Sequence, residues 1–306
     1  MNQLRVFLVI GIALIFASSL KAQYIIEQIE YGIPINYELL PEGTDFDAPF
    51  EEAKFFLNLP ESKLKASAYN EDEEIEIQKS TIYISGDNFA VESQTKEDGK
   101  ITVISNYNKG MLYYVLWSQK KVYEMSKKDM EDIQAEAYTA VKKMMEQLPP
   151  EMRQQARLAM EEKKDLHESN QHLISTGKTM TKYGHKCKQY MIEGDNEVMI
   201  IWASDDRIGL AKKAKAVSEK LSKIFPSMDE EKKDEWELVS GKIPIEVRTY
   251  QMNPMAGARI EIQAITKINE TKPPAKKFIP PGEADGFTKS SFKEMMNQMM
   301  QGKGDY

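Results

Sequence analysis

Cysteine and histidine are almost missing from this chain: one cysteine, Cys187, and three histidines occur in 306 residues. A single thiol excludes an internal disulfide, so an exported fold of this composition must be held by its apolar core. Cys187 reads either as a small buried apolar residue, on one strand face with Gln189 and Met191, or as a reactive or intermolecular thiol. Free cysteine is among the most buried residue types, which favours the first reading. His167 and His172 lie five apart and miss the i, i+4 spacing that sets two imidazoles on one helix face. His185 and Cys187 share one side of a strand, but no second pair completes a zinc site. Also missing are a glycine-rich phosphate loop, a Gly-x-Ser-x-Gly elbow and a calcium loop of alternating acids. The acidic clusters Glu71 to Glu74, Asp205-Asp206 and Asp229-Glu230-Glu231 belong to a chain with 48 acids and read as solvated faces, not acid–base pairs. Tyr183 and His185 have general-acid chemistry, yet nothing beside them completes a catalytic set. The expectation is a protein with no cofactor, no metal and no catalytic residue, hence not an enzyme.

A basic excess is missing too. Lysine and arginine number 41 against 48 acids, a formal charge of −7. Such a chain has no phosphate-neutralising face for nucleic acid. Long apolar runs are confined to the start. Asn2 to Arg5 are polar and basic, Val6 to Ala17 are unbroken apolar, and Ser18 to Ala22 are mostly small and polar, the order of a secretory signal peptide. The run is shorter than the roughly 20 residues that span a bilayer, so no stable membrane insertion is expected. Cleavage is expected after Ala22, with Ser19 as the alternative junction, and no cysteine follows either site to take a lipid. Loss of Arg5 and Lys21 with that leader moves the charge from −7 to −9. The destination is periplasmic or secreted.

What is present is strand alternation. Ile29, Tyr31, Ile33, Ile35, Tyr37 and Leu39 take every second place, which predicts a half-buried strand over 28–39. Pro34 cannot donate to a ladder, so that strand should lie at an edge or bend. Glu51 to Leu57 is open between a short helix and a covering loop. From Ser80 to Met125 five strand-like runs are broken by Gly86-Asp87-Asn88, Glu97-Asp98-Gly99 and Asn108-Lys109-Gly110, an antiparallel meander. Its run Met111–Ser118 carries Leu112, Tyr114 and Leu116 on one face and Tyr113, Val115 and Trp117 on the other, as a strand covered on both sides would. Ser126 with Asp129 opens a helix with apolar positions Met130, Ile133, Ala137, Val141, Met144 and Leu148. Pro149-Pro150 ends it, and Glu151 to Lys164 predicts a second, more polar helix. Strands resume at Leu173–Thr181, Lys186–Ile192 and Glu197–Ala203. A helix from Ile208 to Phe225 and strands at Ile243–Gln251 and Ala258–Ile268 follow. The expected organisation is a signal peptide over 1–22, one domain over 23–282 with helical insertions at 126–165 and 206–236, and a tail over 283–306. In that tail Ser291 and Glu294 have capping-box spacing, and Phe292, Met295, Met296, Met299 and Met300 form an apolar helical stripe. It would pack on its own domain, plug a cavity or dock on a partner.

Ile84-Ser85-Gly86-Asp87, Tyr123-Glu124-Met125, Gly184 to Tyr190, Trp202 and Phe278-Ile279-Pro280-Pro281-Gly282 occur in an order that resembles an exported family of Gram-negative bacteria known as a domain of unknown function. The likeness runs from about Tyr24 to Gly282. That family is similar in layout to periplasmic lipoprotein carriers of the LolA and LolB type. The resemblance implies an α+β fold: a curved antiparallel sheet forming a half-open barrel, with an inserted helical hairpin and further helices over one face. It implies a binding surface and no catalytic residue. The expected function is an exported soluble binding protein for an apolar or amphipathic ligand, touching Leu112, Tyr114, Leu116, Phe292, Met295, Met296, Met299 and Met300. The alternative is an envelope interaction protein with the methionine-rich helix as its docking element. Oligomeric state is not readable.

Overall fold

A computed structural model of the chain describes residues 23–40, 49–66, 75–96, 99–147, 149, 152–153, 172–193, 198–212, 215, 239, 241–253 and 257–295. Outside them lie the expected signal segment, most of Glu151 to Lys164, most of the helix expected after Ile208, and Met296, Met299 and Met300.

Twelve strands form one sheet. They are β1 (Gln23–Pro34), β2 (Gln78–Ser85), β3 (Asn88–Thr95), β4 (Gly99–Asn106), β5 (Met111–Leu116), β6 (Lys121–Ser126), β7 (His172–Lys182), β8 (His185–Glu193), β9 (Val198–Asp205), β10 (Lys242–Asn253), β11 (Gly257–Asn269) and β12 (Thr288–Ser291). Among the described residues, the helices with both ends in view are α1 (Pro49–Asn58), α2 (Glu61–Ala66) and α3 (Lys127–Gln147). The spatial order is β12-β6-β5-β4-β3-β2-β1-β11-β10-β9-β8-β7. Every pairing is antiparallel except the short parallel ladder of β12 on β6. The meander runs outward from β1 through β6, as its turn residues predict. Gly86, Gly99 and Gly110 all sit at positive φ, where a side chain is strained. β7 lies at the far edge of the sheet, and β7 to β11 return to lie beside β1.

The sheet is curled. Lys182 on β7 reaches the carboxylate of Glu246 on β10 at 2.8 and 2.9 Å. In a flat sheet those strands would lie about 14 Å apart. The Tyr24 hydroxyl on β1 donates to the Ile208 carbonyl at 3.0 Å, with β11 and β10 intervening in the sheet. The open, curled sheet with helices laid on its inner face is an α+β half-barrel. One apolar cluster lines the inside, from Met125 and Tyr123 on β6 to Cys187 on β8, together with Phe56, Leu57 and Leu64 from α1 and α2. Two smaller clusters sit outside. One joins Tyr83, Ala90, Ile104, Tyr113, Val115 and Val122 under Phe287; the other joins Ile192, Met199, Ile201 and Ala203 with Val239.

Two register slips decide what points inward. In β1, Tyr24 and Ile26 are buried, but from Tyr31 on the buried places are Tyr31 and Ile33. The phase changes across half-buried Ile29 and Glu30, next to a slip against β11 at Glu27/Gln28. The strand therefore starts at Gln23 and ends at Pro34, not at Leu39; Tyr37–Leu39 is a 3-10 turn. Nor is β1 an edge. Pro34 is tolerated because pairing with β2 has already stopped at Glu30, so its missing N–H breaks no bond on that side. In β10 the slip against β9 falls between Pro244 and Glu246. Ile243 and Ile245 face the inner cluster, and beyond the slip Glu246 and Arg248 are buried as well.

Candidate functional site: the interior of the half-barrel and its rim

The stretch left open at Glu51 to Leu57 is the helix α1. Proline at its first position and Glu51 and Glu52 in its first turn suit a helix N-terminus. Ala53, Phe56 and Leu57, at helical spacing, are buried against the inner faces of β9 and β10. Polar bonds fasten this roof to the sheet. The Arg248 guanidinium donates to the carbonyls of Leu59 (2.7 Å) and Leu57 (3.3 Å), at the end of α1. It also donates to Glu246 at 2.8 Å, which takes two further bonds from Lys182. Tyr250 donates to Glu52 at 2.7 Å, and Tyr31 to Glu61 at 2.6 Å. Lys54 reaches Glu193 at 3.0 Å, and Lys178 reaches Asn58 at 2.8 Å.

Titration follows from this packing. Burial, then the bond to Glu61, pushes the Tyr31 phenol far above its ordinary range; burial and Glu52 do the same to Tyr250. Tyr183 is pushed up to about 12 by burial, with the Glu246 and Glu61 charges adding. Its backbone is left-handed (φ 48°), and with Gly184 (φ 83°) it makes the two-residue turn of the β7–β8 hairpin. Burial raises the Cys187 thiol to about 11, so it stays protonated at neutral pH. That agrees with Cys187 as a buried apolar residue, 2 % exposed.

Leu112, Tyr114 and Leu116 alternate along β5 and belong to the inner apolar cluster. Tyr113 and Val115 face the outer one, so β5 is covered on both sides. Phe292 and Met295 are buried in the same inner cluster. The expected capping box precedes them: Ser291 N–H donates to Glu294 at 3.2 Å, and Glu294 N–H to the Ser291 hydroxyl at 3.1 Å. The structure thus brings five of the eight expected contact residues into one apolar layer; Met296, Met299 and Met300 lie outside the described residues.

A recess of about 1060 Å³ opens elsewhere, at the β7–β9 end of the half-barrel. Met180, Cys187, Ile208, Ile243 and Ile268 supply its apolar wall, and Lys186, Lys188 and Arg207 border it. None of the eight expected contacts lines it. A second hollow of about 630 Å³ lies between α3 and Lys293 and is walled by charged and polar residues such as Asp132, Glu136 and Lys143. Glu246 and Arg248 are the interior residues that sequence reading missed. The one signal for them was Pro244, which marks where strand alternation slips. Among the described residues no three His, Cys, Asp or Glu side chains gather to hold a metal ion, and no helix is long and apolar enough to cross a membrane.

Solved structures provide the comparison. A LolA superfamily protein from Nitrosomonas europaea matches over 90% of this chain and 96% of its own, at 6% identity and a TM-score of 0.29. The Pseudomonas aeruginosa MucA/MucB complex matches over 89% of this chain and 59% of its own, at 6% identity and a TM-score of 0.33. No family model and no curated protein matches the sequence.

Proposed function

We propose that this chain is an exported binding protein that holds an apolar or amphipathic ligand in its half-barrel. The carrying observation is the recess of about 1060 Å³, whose apolar wall is made by Cys187, Ile208, Ile243 and Ile268, members of the inner layer roofed by α1 and α2. Its volume lies just above the roughly 300–1,000 Å³ typical of ligand pockets, which favour the mouths of barrels. Export rests on the leader over 1–22. In this reading the C-terminal helix seals the opposite part of the same interior. Burial of Phe292 and Met295 supports a seal over a docking arm. No catalytic residue is assigned.

The test is to purify the leader-free protein, extract it with solvent and identify co-purifying lipid by mass spectrometry, then titrate a fluorescent fatty-acid probe. Bound lipid or saturable uptake supports the reading. A clean extract with no uptake overturns it. Removal of 296–306, which spares β12, Phe292 and Met295, tests the seal: ligand retention should fall while the thermal melt stays in place.

A further inference from the structure

β7 forms one end of the sheet, and among the described residues no strand pairs with its outer flank. A free flank is a row of unanswered N–H and C=O groups, which sheets guard with charge, proline or a bulge. Here the guard is partial. A bulge between Ser175 and Thr179, where Gly177 takes φ 74°, breaks the middle of the strand. The two lysines of the strand turn inward, Lys178 to Asn58 at 2.8 Å and Lys182 to Glu246 at 2.8 and 2.9 Å. That leaves Thr179 to Lys182 regular and open. Lys182 and His185 flank a two-residue turn and so form a hydrogen-bonded pair, while Thr181/Lys186 and Thr179/Lys188 are the intervening, non-bonded pairs. Thr179 and Thr181 therefore aim their N–H and C=O groups away from β8, at the free flank.

The two faces beside that flank differ. Met180 pairs with Cys187 and shares its inner side, yet is 50 % exposed. Thr179 and Thr181 pair with Lys188 and Lys186 on the outer side, and both lysines are exposed. Residues His172 to Ile192 hold four lysines and no acid, in a chain with 48 acids. Asp205 lies near Lys188 but is held by Lys242 at 2.8 Å. A second copy of β7 on this flank would set one acid-free hairpin against another, so charge disfavours self-pairing. We infer that β7 takes an added strand from another protein, an extended segment that alternates acidic and apolar residues. Its backbone bonds Thr179 and Thr181, and its apolar side chains lie beside Met180. Its carboxylates share the outer side with Lys186 and Lys188, two strand spacings or about 10 Å away at the backbone. The long lysine stems close that gap over the short threonines. The inference does not depend on the carrier reading.

Fluorescence anisotropy of the leader-free protein with three labelled heptapeptides tests it, alternating valine with glutamate, glutamine or lysine. The glutamate peptide is expected to bind saturably, and the glutamine peptide at least tenfold more weakly, an advantage that shrinks at high salt. The lysine peptide should not bind. K186E/K188E should weaken the glutamate peptide at least tenfold and admit the lysine peptide, with the thermal melt in place. Thr181→Pro removes an N–H that faces the free flank and should abolish binding without loosening β8. N-methylation of alternate amides in the glutamate peptide blocks the same ladder from the other side and should abolish binding to the unaltered protein. No binding of the glutamate peptide, equal binding of the glutamine peptide, or binding that survives N-methylation overturns the inference. A concentration-dependent dimer that Thr181→Pro dissolves overturns it in favour of a second copy.

Discussion

Replacing Arg248 with methionine is the sharpest probe of how the roof is held. The guanidinium is almost wholly buried, and its partner Glu246 has a side chain with no exposed surface. The variant removes one bond to that carboxylate and two to the carbonyls of Leu57 and Leu59. Methionine roughly preserves volume, so the cost is electrostatic: a buried carboxylate left short of positive charge and two carbonyls left without donors. Breaking a buried pair costs about 3–5 kcal/mol. Lys182 still gives Glu246 two bonds, which points to the lower end, about 3 kcal/mol. A loss of that size lowers the melting temperature by about 6–12 °C, on the scaling for domains of 150–250 residues. Urea unfolding followed by circular dichroism should show the shift, and hydrogen exchange should rise first in α1. The K182M/E246M/R248M triple variant should recover more than half of the loss, because none of the three buried charges then lacks its partner. A loss under about 1 kcal/mol for the single variant, or a triple variant worse than the single, would refute a dry, charge-paired interior beneath α1.

Three further outcomes concern other parts of the fold. Asp206→Ala should cost about 1 kcal/mol in a thermal melt, because its carboxylate accepts from the N–H groups of Leu210 (2.7 Å) and Ala211 (2.8 Å) as a helix cap. Acid should weaken the hold of the 3-10 turn Ala275–Phe278 on β3 and β4, where Lys277 meets Glu92 at 2.6 Å. Burial works to raise Glu92, but Lys277 and Lys100 outweigh it and leave its carboxyl lowered. A depressed folded value means stability is complete above the unfolded value, about 4.3, and is lost as pH falls through the folded one; Glu92→Gln should flatten that acid limb in melts from pH 6 to 3. Phe292→Ala should cost about 3–5 kcal/mol by urea unfolding if the C-terminal helix is part of the core, and under 1 kcal/mol if it only rests on the surface.

The meander and the returning strands could be read from sequence because each signal was local. Alternating β-branched and aromatic residues end at Gly86, Gly99 and Gly110, so strand length and turn agree. The capping boxes at Ser126 and Ser291 were equally local, and both form. What escaped depends on register. Simple alternation through Ile243-Pro244-Ile245-Glu246-Val247-Arg248 would place Val247 inside and the charges outside. The slip at Pro244 reverses that, and Val247 packs against the outer cluster. The same kind of slip shifts β1 from even to odd burial, and pairing with β11, over 220 positions away, puts it mid-sheet. Glu51 to Leu57 stayed ambiguous because seven residues of mixed polarity do not say which surface will cover them. The interior of the site is therefore a product of tertiary pairing, and its rim recess joins β7, β8 and β9 to Ile243 and Ile268, far apart in the chain.

The pairing of β1 with β11 bears on how the molecule is made. Synthesis delivers β1 to β6 first, and those six strands pair among themselves with only near neighbours. One flank of β1 then waits for Gly257–Asn269, and one flank of β6 for Thr288–Ser291. Both loose borders of the nascent half are stitched by strands that follow Gly257 in the chain. Until they arrive, a long row of unanswered amides and carbonyls offers itself to any passing strand. A ribosome-tethered copy of this chain should accordingly depend on a holdase far more than the finished one, and a chain cut before Gly257 should be prone to aggregate.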